Sequence, residues 1–409
     1  MKNAGGNRGK ENLRQKNNSE PFLCRFSPPL SDFTYPFPAA ATNCKLFNTH
    51  LTADLFPRKL VQVRLKMKEK RITIADIAKK SGYSKTAVSF AFNNPDRISR
   101  DAVVKILAVA KELDYSPDPM ARNFSLGRHF SLGFLVPQSF DATLDNPHVV
   151  DILRGIGTIC EKHDYSLTLI PPLHSSIAES IQNATVDGII GMGLDFGGGV
   201  REALKRRKLP LVRLDAIDNE EGYKVSVDNT EAAYTQMTEV LRRGHRDIAV
   251  VTLLGAAYIE TTDEVAPGVA NFRSIGYRKA LTEYKVTTPV RQFPESTTIA
   301  GGRSACSEIL KEGLPSAIVT MSDIQAVGVI EELQSRGLRV PEDVSVVGFD
   351  GTYRDNYLNH SLTTIDQHGY IKGTKAAEML FTIIAGEEPG RKNEIIPFSF
   401  YEGETLKSV

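Results

Sequence analysis

The 409-residue chain lacks most features of disulfide-stabilised, zinc-binding, membrane or catalytic proteins. Its four cysteines, at positions 24, 44, 160 and 306, form no CxxC pair, which argues against a disulfide framework or zinc site and favours a reducing cytoplasm. No apolar run approaches the roughly 20 residues of a membrane span, and no secretory signal precedes residue 67. The GxSxG, HExxH and Walker A motifs are absent. The sequence predicts a cytoplasmic protein that is not an enzyme and needs no metal or cofactor.

The formal net charge of +1 conceals a strong asymmetry along the chain. Residues 1–66 carry 11 basic and 4 acidic side chains, and residues 67–130 carry 12 and 7. Residues 131–409 carry 27 basic and 38 acidic side chains. A basic front and an acidic body favour a head that binds a polyanion, joined to a body that does not.

Residues 1–66 are rich in Asn, Pro, Ser and Lys and show no sustained period, which is typical of disorder. Met67 is followed at once by a basic segment and is the start of translation in one interpretation. In the other, residues 1–66 are a real basic tail that adds nonspecific attraction to phosphates.

Residues 67–116 predict a helix-turn-helix DNA-binding domain. Thr73 is a plausible N-cap, and Asp76 stands three residues later, where it can complete a capping box. Gly82 breaks this helix, and Ser84 can cap a second helix over 85–93. Two short helices joined by a Gly-containing turn place the second helix in the DNA major groove.

Residues 117–130 predict a short hinge helix that begins at Pro117 and ends at Gly127, followed by a linker. A helix of about ten residues is marginal alone, so we expect it to form only against a partner. Such a segment can reach into a DNA minor groove.

From residue 131 to 409, short apolar strands alternate with helical stretches, a pattern typical of parallel sheets with right-handed crossovers. The length exceeds one typical sheet, so we predict two α/β subdomains with a ligand-binding cleft between them. The predicted strands are 132–136, 166–170, 186–192, 209–214, 247–252, 316–320 and 345–349.

The segments 73–89 and 113–123 resemble the DNA-binding head and hinge of the lactose-repressor (LacI) family of bacterial transcription regulators. The resemblance spans residues 71–400, in order and at the expected spacings. In the body it is carried by segments 186–190, 243–249, 272–280, 322–328, 347–350 and 362–367.

This resemblance implies an all-α head, a hinge helix and a body like that of periplasmic sugar-binding proteins. It also implies a homodimer or tetramer that binds operator DNA, and a sugar-like effector that controls a repressor of carbohydrate genes. A purine or other metabolite is the alternative effector. A solute-binding receptor or a sugar-metabolising enzyme disagrees with the missing signal peptide and catalytic motifs.

By position, the resemblance assigns base reading to Lys85, Thr86 and Phe90. Lys can donate to guanine, whereas Phe offers only apolar contact, for example to a thymine methyl. The family usually has Arg at the position of Phe90, so a different operator is expected. The alternative is that Phe90 turns inward with Phe92.

The remaining predicted DNA contacts position the head on the duplex. Phosphate contacts fall on Thr73, Ser84, Ser89 and Asn93, with helix capping as the alternative for the Ser and Thr residues. Arg97 and Arg100 face phosphates or solvent. Hinge contacts fall on Met120, Ala121, Asn123 and Phe124. Phe124 is a candidate minor-groove wedge, or else packs between domains.

The resemblance also assigns seven effector contacts: Asn146, His148, Asn229, Arg273, Ser322, Asp350 and Gln367. A buried Arg and Asp suit a polyhydroxylated ligand because both form directional hydrogen bonds to hydroxyls. The alternative is an Arg273–Asp350 ion pair that joins the subdomains. Asp323 either lines the cleft or caps the helix that follows it, and we expect the cap.

Overall fold

The computed structural model describes residues 72–117, 123, 126–136, 143–174, 176–193, 199–216, 222–256, 258–259, 268–353 and 361–409. All of them belong to one unit of the chain, Ile72–Val409. The predicted extension 1–66 and the predicted contacts Met120, Ala121 and Phe124 lie outside the described residues.

The head consists of short helices around a small apolar core. They are α1 (Ile74–Ser81), α2 (Lys85–Asn93), a 3-10 turn (Pro95–Arg97) and α3 (Arg100–Glu112). Gly82 ends α1 in the left-handed conformation, with φ of 77°, because a residue without a Cβ adopts it at no steric cost. The core contains Ile77, Val88, Ala91, Ile106 and Ala110.

Two described residues of the predicted hinge, Asn123 and Leu126, are helical. Gly127 then has a positive φ of 63°, as expected where a helix ends. The side-chain amide of Asn123 donates to the carbonyl of His129 at 3.0 Å. The backbone N–H groups of His129 and Phe130 donate to the carboxylate of Asp187, which fixes the linker to the body.

The N-terminal subdomain contains a six-stranded parallel sheet of order β11-β5-β4-β3-β1-β2. Its strands are β1 (Ser131–Leu135), β2 (Ser166–Ile170), β3 (Gly188–Met192), β4 (Leu211–Leu214), β5 (Tyr223–Ser226) and β11 (Asn393–Ile395). Its helices are α4 (Pro147–Lys162), α5 (Ile177–Asn183), α6 (Val200–Arg207) and α11 (Gly369–Ile384). Apolar clusters cover both faces of the sheet, as parallel strands require.

The C-terminal subdomain contains a sheet of order β12-β10-β9-β8-β6-β7, parallel except for the β10–β12 pair. Its strands are β6 (Ile248–Leu253), β7 (Arg291–Glu295), β8 (Ala317–Thr320), β9 (Ser345–Asp350), β10 (Thr364–Asp366) and β12 (Ser399–Tyr401). Its helices are α7 (Asn229–Arg242), α8 (Val269–Glu283), α9 (Ile299–Glu312) and α10 (Asp323–Ser335). The predicted fold of two parallel-sheet subdomains is confirmed.

The chain passes between the subdomains after β5, after β10 and after β11. These short crossings bring the carboxyl ends of strands from both sheets to one cleft, where open α/β folds bind ligands. Cys160 and Cys306, the described cysteines, are buried free thiols whose pKa is raised by burial.

Candidate functional site

A cleft of about 590 Å³ lies at the carboxyl ends of the strands of both subdomains. This volume is within the range of small-molecule sites. Its apolar lining includes Val136, Val149, Met192, Leu253 and Met321. Its polar lining includes Asn146, His148, Asp215, Arg273, Glu295, Ser322, Asp350 and Gln367. Strands from both sheets therefore contribute polar groups to one cleft.

Arg273, on α8, is a buried cation held within the C-terminal subdomain. Its Nε donates to Asn229 Oδ1 at 3.0 Å, and its Nη1 donates to the carbonyl oxygen of Met321. The guanidinium carbon lies 3.6 Å from the centroid of the Phe349 ring, a cation–π contact. Burial lowers the pKa of Arg273, although Asp350 acts in the opposite direction. Arg273 and Asp350 belong to the same subdomain, so an ion pair between these residues would not join the two subdomains.

Lys372, on α11, instead connects the subdomains. Its fully buried ammonium donates to both carboxylate oxygens of Asp215, at 3.0 and 2.8 Å, and to Gln367 Oε1 at 2.9 Å. The amide nitrogen of Gln367 donates to Asp350 Oδ1 at 2.7 Å. A continuous hydrogen-bonded chain of four side chains therefore runs from Asp215, after β4, to Asp350, at the end of β9. We call these four residues the buried polar chain.

Asp350 is the acidic end of this chain. Burial and the negative charge of Asp323 raise the pKa of Asp350 to about 7, although the positive charge of Arg273 acts in the opposite direction. Its second oxygen accepts from the backbone N–H of Asp323 at 3.1 Å. This carboxyl group therefore binds a proton more readily than the carboxyl group of an exposed aspartate.

His148, at the start of α4, is 4% exposed, and neither ring nitrogen has a hydrogen-bond partner among the described residues. Burial lowers the pKa of His148 well below its ordinary value, and the positive charges of Lys372 and Arg273 lower it further. The imidazole is therefore neutral, with one donor and one acceptor nitrogen. A Cβ at Gly369 would lie 3.2 Å from Nδ1 of His148, so the small residue leaves room for the ring.

Ser322 is a second buried polar group without a partner. Its hydroxyl is unsatisfied among the described residues, although Ser322 occupies the N-cap position of α10. The expectation that Asp323 caps this helix is wrong. Asp323 instead accepts from the backbone N–H of Thr352 at 2.7 Å and from the hydroxyl of Thr364 at 2.5 Å, because its buried carboxylate joins the loop after β9 to β10.

Six of the seven predicted effector residues line the cleft. Asn229 does not line it, and instead accepts a hydrogen bond from Arg273. Asn146 also caps α4, since its side-chain oxygen accepts from the backbone N–H of His148 at 3.0 Å. The sequence did not predict a role for Asp215 or Lys372. An Asp directly after an apolar strand was the available signal for Asp215, whereas Lys372 gave none.

The residues predicted to read bases lie on α2. Lys85 and Thr86 are exposed, and Phe90 is half-buried outside the head core. Phe92 packs against that core and contacts Tyr115, with ring centroids 5.6 Å apart. The alternative that both aromatic rings turn inward therefore fits Phe92 and not Phe90.

The residues predicted to contact phosphates also form local hydrogen bonds within the head. Thr73 and Asp76 form a complete capping box, and the hydroxyl of Thr73 donates to Asp76 Oδ2 at 2.7 Å. Ser84 caps α2 by accepting from the backbone N–H of Ala87 at 3.1 Å. Asn93 donates to Ser89 Oγ at 3.4 Å, one turn away.

Within the described residues, no group of three or more His, Cys, Asp or Glu side chains is arranged to hold a metal ion. Among the helices of the same residues, none combines the length and hydropathy that crossing a bilayer requires.

Comparisons with known proteins give matches for both the head and the body of the chain. Residues 73–118 match the family model described as bacterial regulatory proteins, lacI family, and residues 237–406 match a periplasmic binding protein-like domain. The transcriptional regulator IpsA of Corynebacterium glutamicum is 30% identical over 362 residues, covering 82% of this chain and 98% of IpsA. The transcriptional repressor PurR of Histophilus somni is 27% identical over 333 residues, covering 79% and 95%.

The fold also matches the crystal structure of the lac repressor dimer bound to operator and the anti-inducer ONPF. The TM-score is 0.69 at 22% identity, covering 83% of this chain and all of that one. The protein is thus a DNA-binding transcriptional regulator with a small-molecule effector, and not an enzyme. The chain belongs to the LacI family of bacterial regulatory proteins.

Proposed function

We propose that this regulator is a repressor of carbohydrate-utilisation genes, controlled by a neutral polyhydroxylated effector that binds in the cleft. The observation that carries the proposal is the pair of unpartnered buried groups, the neutral imidazole of His148 and the hydroxyl of Ser322. They come from different subdomains and line the same cleft. Buried polar groups require partners, so a ligand that bridges them would satisfy both.

The chemistry of the cleft favours hydroxyl groups as these partners. A neutral imidazole and a serine hydroxyl each offer one donor and at least one acceptor, which matches a sugar hydroxyl. An ionised Asp215 or Asp350 only accepts, so the ligand should also supply donors. All three protons of Lys372 are used within the protein. It is therefore not free to neutralise a sugar phosphate.

Control of DNA binding would follow from linkage between the two subdomains. Asp215 and Asp350 lie at opposite ends of the buried polar chain, and both line the cleft. A ligand that contacts both ends would favour one relative position of the subdomains. Because linkage is reciprocal, that ligand changes operator affinity by the factor by which operator changes ligand affinity.

A purine is the second candidate effector, supported by the PurR relative. A screen of thermal unfolding separates the two candidates: neutral mono- and disaccharides, sugar phosphates and purine bases are each added to the full chain. At about 100 times its Kd, a ligand stabilises the folded state by about 2.7 kcal/mol. We expect a neutral sugar to raise the melting temperature. Stabilisation by purines or sugar phosphates alone would contradict the proposed effector class.

Variants test whether the cleft is the effector site. His148→Ala and Ser322→Ala should each weaken binding of that sugar by about tenfold, the equivalent of one to two lost hydrogen bonds. His174→Ala is the matched control, because His174 is exposed and does not line the cleft. Unchanged sugar affinity in both cleft variants would place the effector elsewhere.

On the DNA side, we propose that Lys85, Thr86 and Phe90 contact bases in the major groove. Ser89 and Asn93 then face phosphates, and Thr73 and Ser84 combine capping with phosphate contact. Minor-groove contact by Met120, Ala121, Asn123 and Phe124 remains a prediction.

A homodimer would place two heads on a palindromic site. The proposed location of the protein is the cytoplasm. Light scattering of the full chain, with and without DNA, measures the oligomeric state.

A further inference from the structure

Arg97 lies beside the DNA-reading face of α2 through a contact with Phe90. Its guanidinium carbon is 5.6 Å from the centroid of the Phe90 ring. Phe90 follows Thr86 by four residues, so both lie on one side of the helix. Val88 and Ala91, on the other side, are buried in the head core. The contact therefore places an exposed cation beside Phe90, on the side of α2 that also carries Thr86.

The backbone that carries Arg97 is anchored on both sides. Arg97 ends the 3-10 turn that begins at Pro95, and its N–H donates to the carbonyl of Asn94 at 3.0 Å. The ring of Pro95 restricts the backbone at the start of the turn. Ile98, the next residue, packs against the head core. The position of the Arg97 side chain is thus set by a fixed turn and an aromatic surface.

A guanidinium in a cation–π contact uses no hydrogen bond to reach the ring, so the N–H edge of its planar fork stays available. That edge is suited to the O6 and N7 acceptors of guanine, the commonest specific contact in the major groove. Arg97 forms no ion pair with a carboxylate within residues 72–117, whereas Lys80 in the same head pairs with Glu112 at 2.7 Å. The donors of Arg97 are therefore not occupied by an acidic side chain of the head.

We propose that Arg97 is a specificity-determining residue that contacts a guanine edge in each operator half-site, with Phe90 as the residue that positions it. This inference rests on the proposed placement of α2 in the major groove and extends base reading beyond that helix. It assigns Phe90 a second role, as the surface that orients Arg97.

The test is selection of bound sequences from random duplex DNA by the full chain. The selected duplex and its single-base variants are then titrated with four variants: Arg97→Ala, Arg97→Lys, Phe90→Ala and the control Arg100→Ala. Arg100 is also exposed and begins α3, but it has no aromatic contact among the described residues. Thermal unfolding of each variant verifies that the head remains folded.

We expect the wild type to prefer guanine at one position of each half-site by about tenfold or more. Arg97→Ala should reduce that preference to about twofold or less and leave the other positions unchanged. Arg97→Lys should keep the salt dependence of binding but lose most of the preference, because lysine lacks the planar fork. Phe90→Ala should give a partial loss at the same position. Arg100→Ala should leave the selected sequence unchanged.

An equal loss of affinity for all duplexes in Arg97→Ala would show a phosphate contact and overturn the proposal. No effect of Arg97→Ala on either affinity or sequence would overturn it as well. If the wild type selects no sequence at all, both the proposed placement of α2 and the proposed role of Arg97 fail. If the wild type selects a palindrome that Arg97→Ala does not alter, only the role of Arg97 fails.

Discussion

The proposed DNA-reading face of α2 and the proposed effector cleft both carry polar side chains, but the burial of these side chains is opposite. Lys85 and Thr86 are exposed to solvent on a nine-residue helix. At the cleft, the buried Asp350 connects through Gln367 to the buried Lys372. Substitutions on α2 should therefore alter binding with little effect on folding, whereas substitutions in the cleft should alter both.

The largest effect is expected for Lys372→Met, which leaves Asp215 buried without its cation. Removal of one partner of a buried ion pair costs about 3–5 kcal/mol, because the other charge is left uncompensated. Denaturant unfolding should show this loss in the free energy of unfolding.

Two controls sharpen that measurement. Lys375→Met removes a partly exposed lysine of the same helix, paired with Glu378 at 2.8 Å, and should cost less than about 1 kcal/mol. The double variant Lys372→Met/Asp215→Leu removes both buried charges and should recover much of the loss. Equal losses at positions 372 and 375 would contradict the assigned difference in burial.

Stability should depend on pH through Asp350. Burial raises its pKa from 3.8 to about 7, so between about pH 4 and 7 the folded chain holds a proton that the unfolded chain has released. The free energy of unfolding therefore falls as pH rises through this window, by at most about 1.4 kcal/mol per pH unit for one such group. His148 acts oppositely, since its lowered pKa costs stability as pH falls below 6.5.

Asp350→Asn isolates the carboxyl contribution. The stability of wild type relative to this variant should fall between pH 5 and 7 and then level off. Denaturant unfolding at pH 5, 6, 7 and 8 measures the difference. Parallel pH profiles for the two proteins would exclude a raised pKa at Asp350.

Thr86→Ala should change DNA binding without a change in folding. Loss of a base contact costs about 1–3 kcal/mol of discrimination at one base position. The free energy of unfolding should change by less than about 0.5 kcal/mol, the usual range for a surface substitution. Titration of the selected duplex and denaturant unfolding give the two values. A loss of stability that matches the loss of affinity would remove the contrast with the cleft.

The smallest effect is expected at Thr73, where capping and phosphate contact compete as explanations. Thr73→Ala should cost about 1 kcal/mol of stability because it breaks the capping box with Asp76. Thr73→Ser keeps the hydroxyl and should restore most of that stability. If Thr73→Ala lowers DNA affinity while stability is unchanged, phosphate contact is the sole role of this side chain.

The sequence was most informative where each residue acts through its neighbours along the chain. The apolar runs 132–136 and 345–349 correspond to β1 and β9, because strands covered on both faces require continuous apolar residues. The capping box at Thr73 also followed from spacing alone. The edge strand β7 lacks such a pattern, because it includes Pro294 and is partly exposed, and the sequence did not predict it.

Long-range polar contacts could not be predicted in this way. Lys372 and Asp215 are 157 residues apart, and each stands alone in its local pattern. The family resemblance predicted Arg273 and Asp350 in the cleft but not their partners or protonation. The expected cap at Asp323 was wrong because burial gave its carboxylate partners on distant strands and loops.

The most direct test of the account is the coupling between cleft and operator. The affinity of the full chain for its selected duplex is measured at increasing concentrations of the neutral sugar that most raises its melting temperature. We predict a change of about 5- to 150-fold, with sugar affinity changed by the same factor when the duplex is bound. In His148→Ala, the same change should require about ten times more sugar. Operator affinity that does not respond to a sugar bound in the cleft would contradict the central claim.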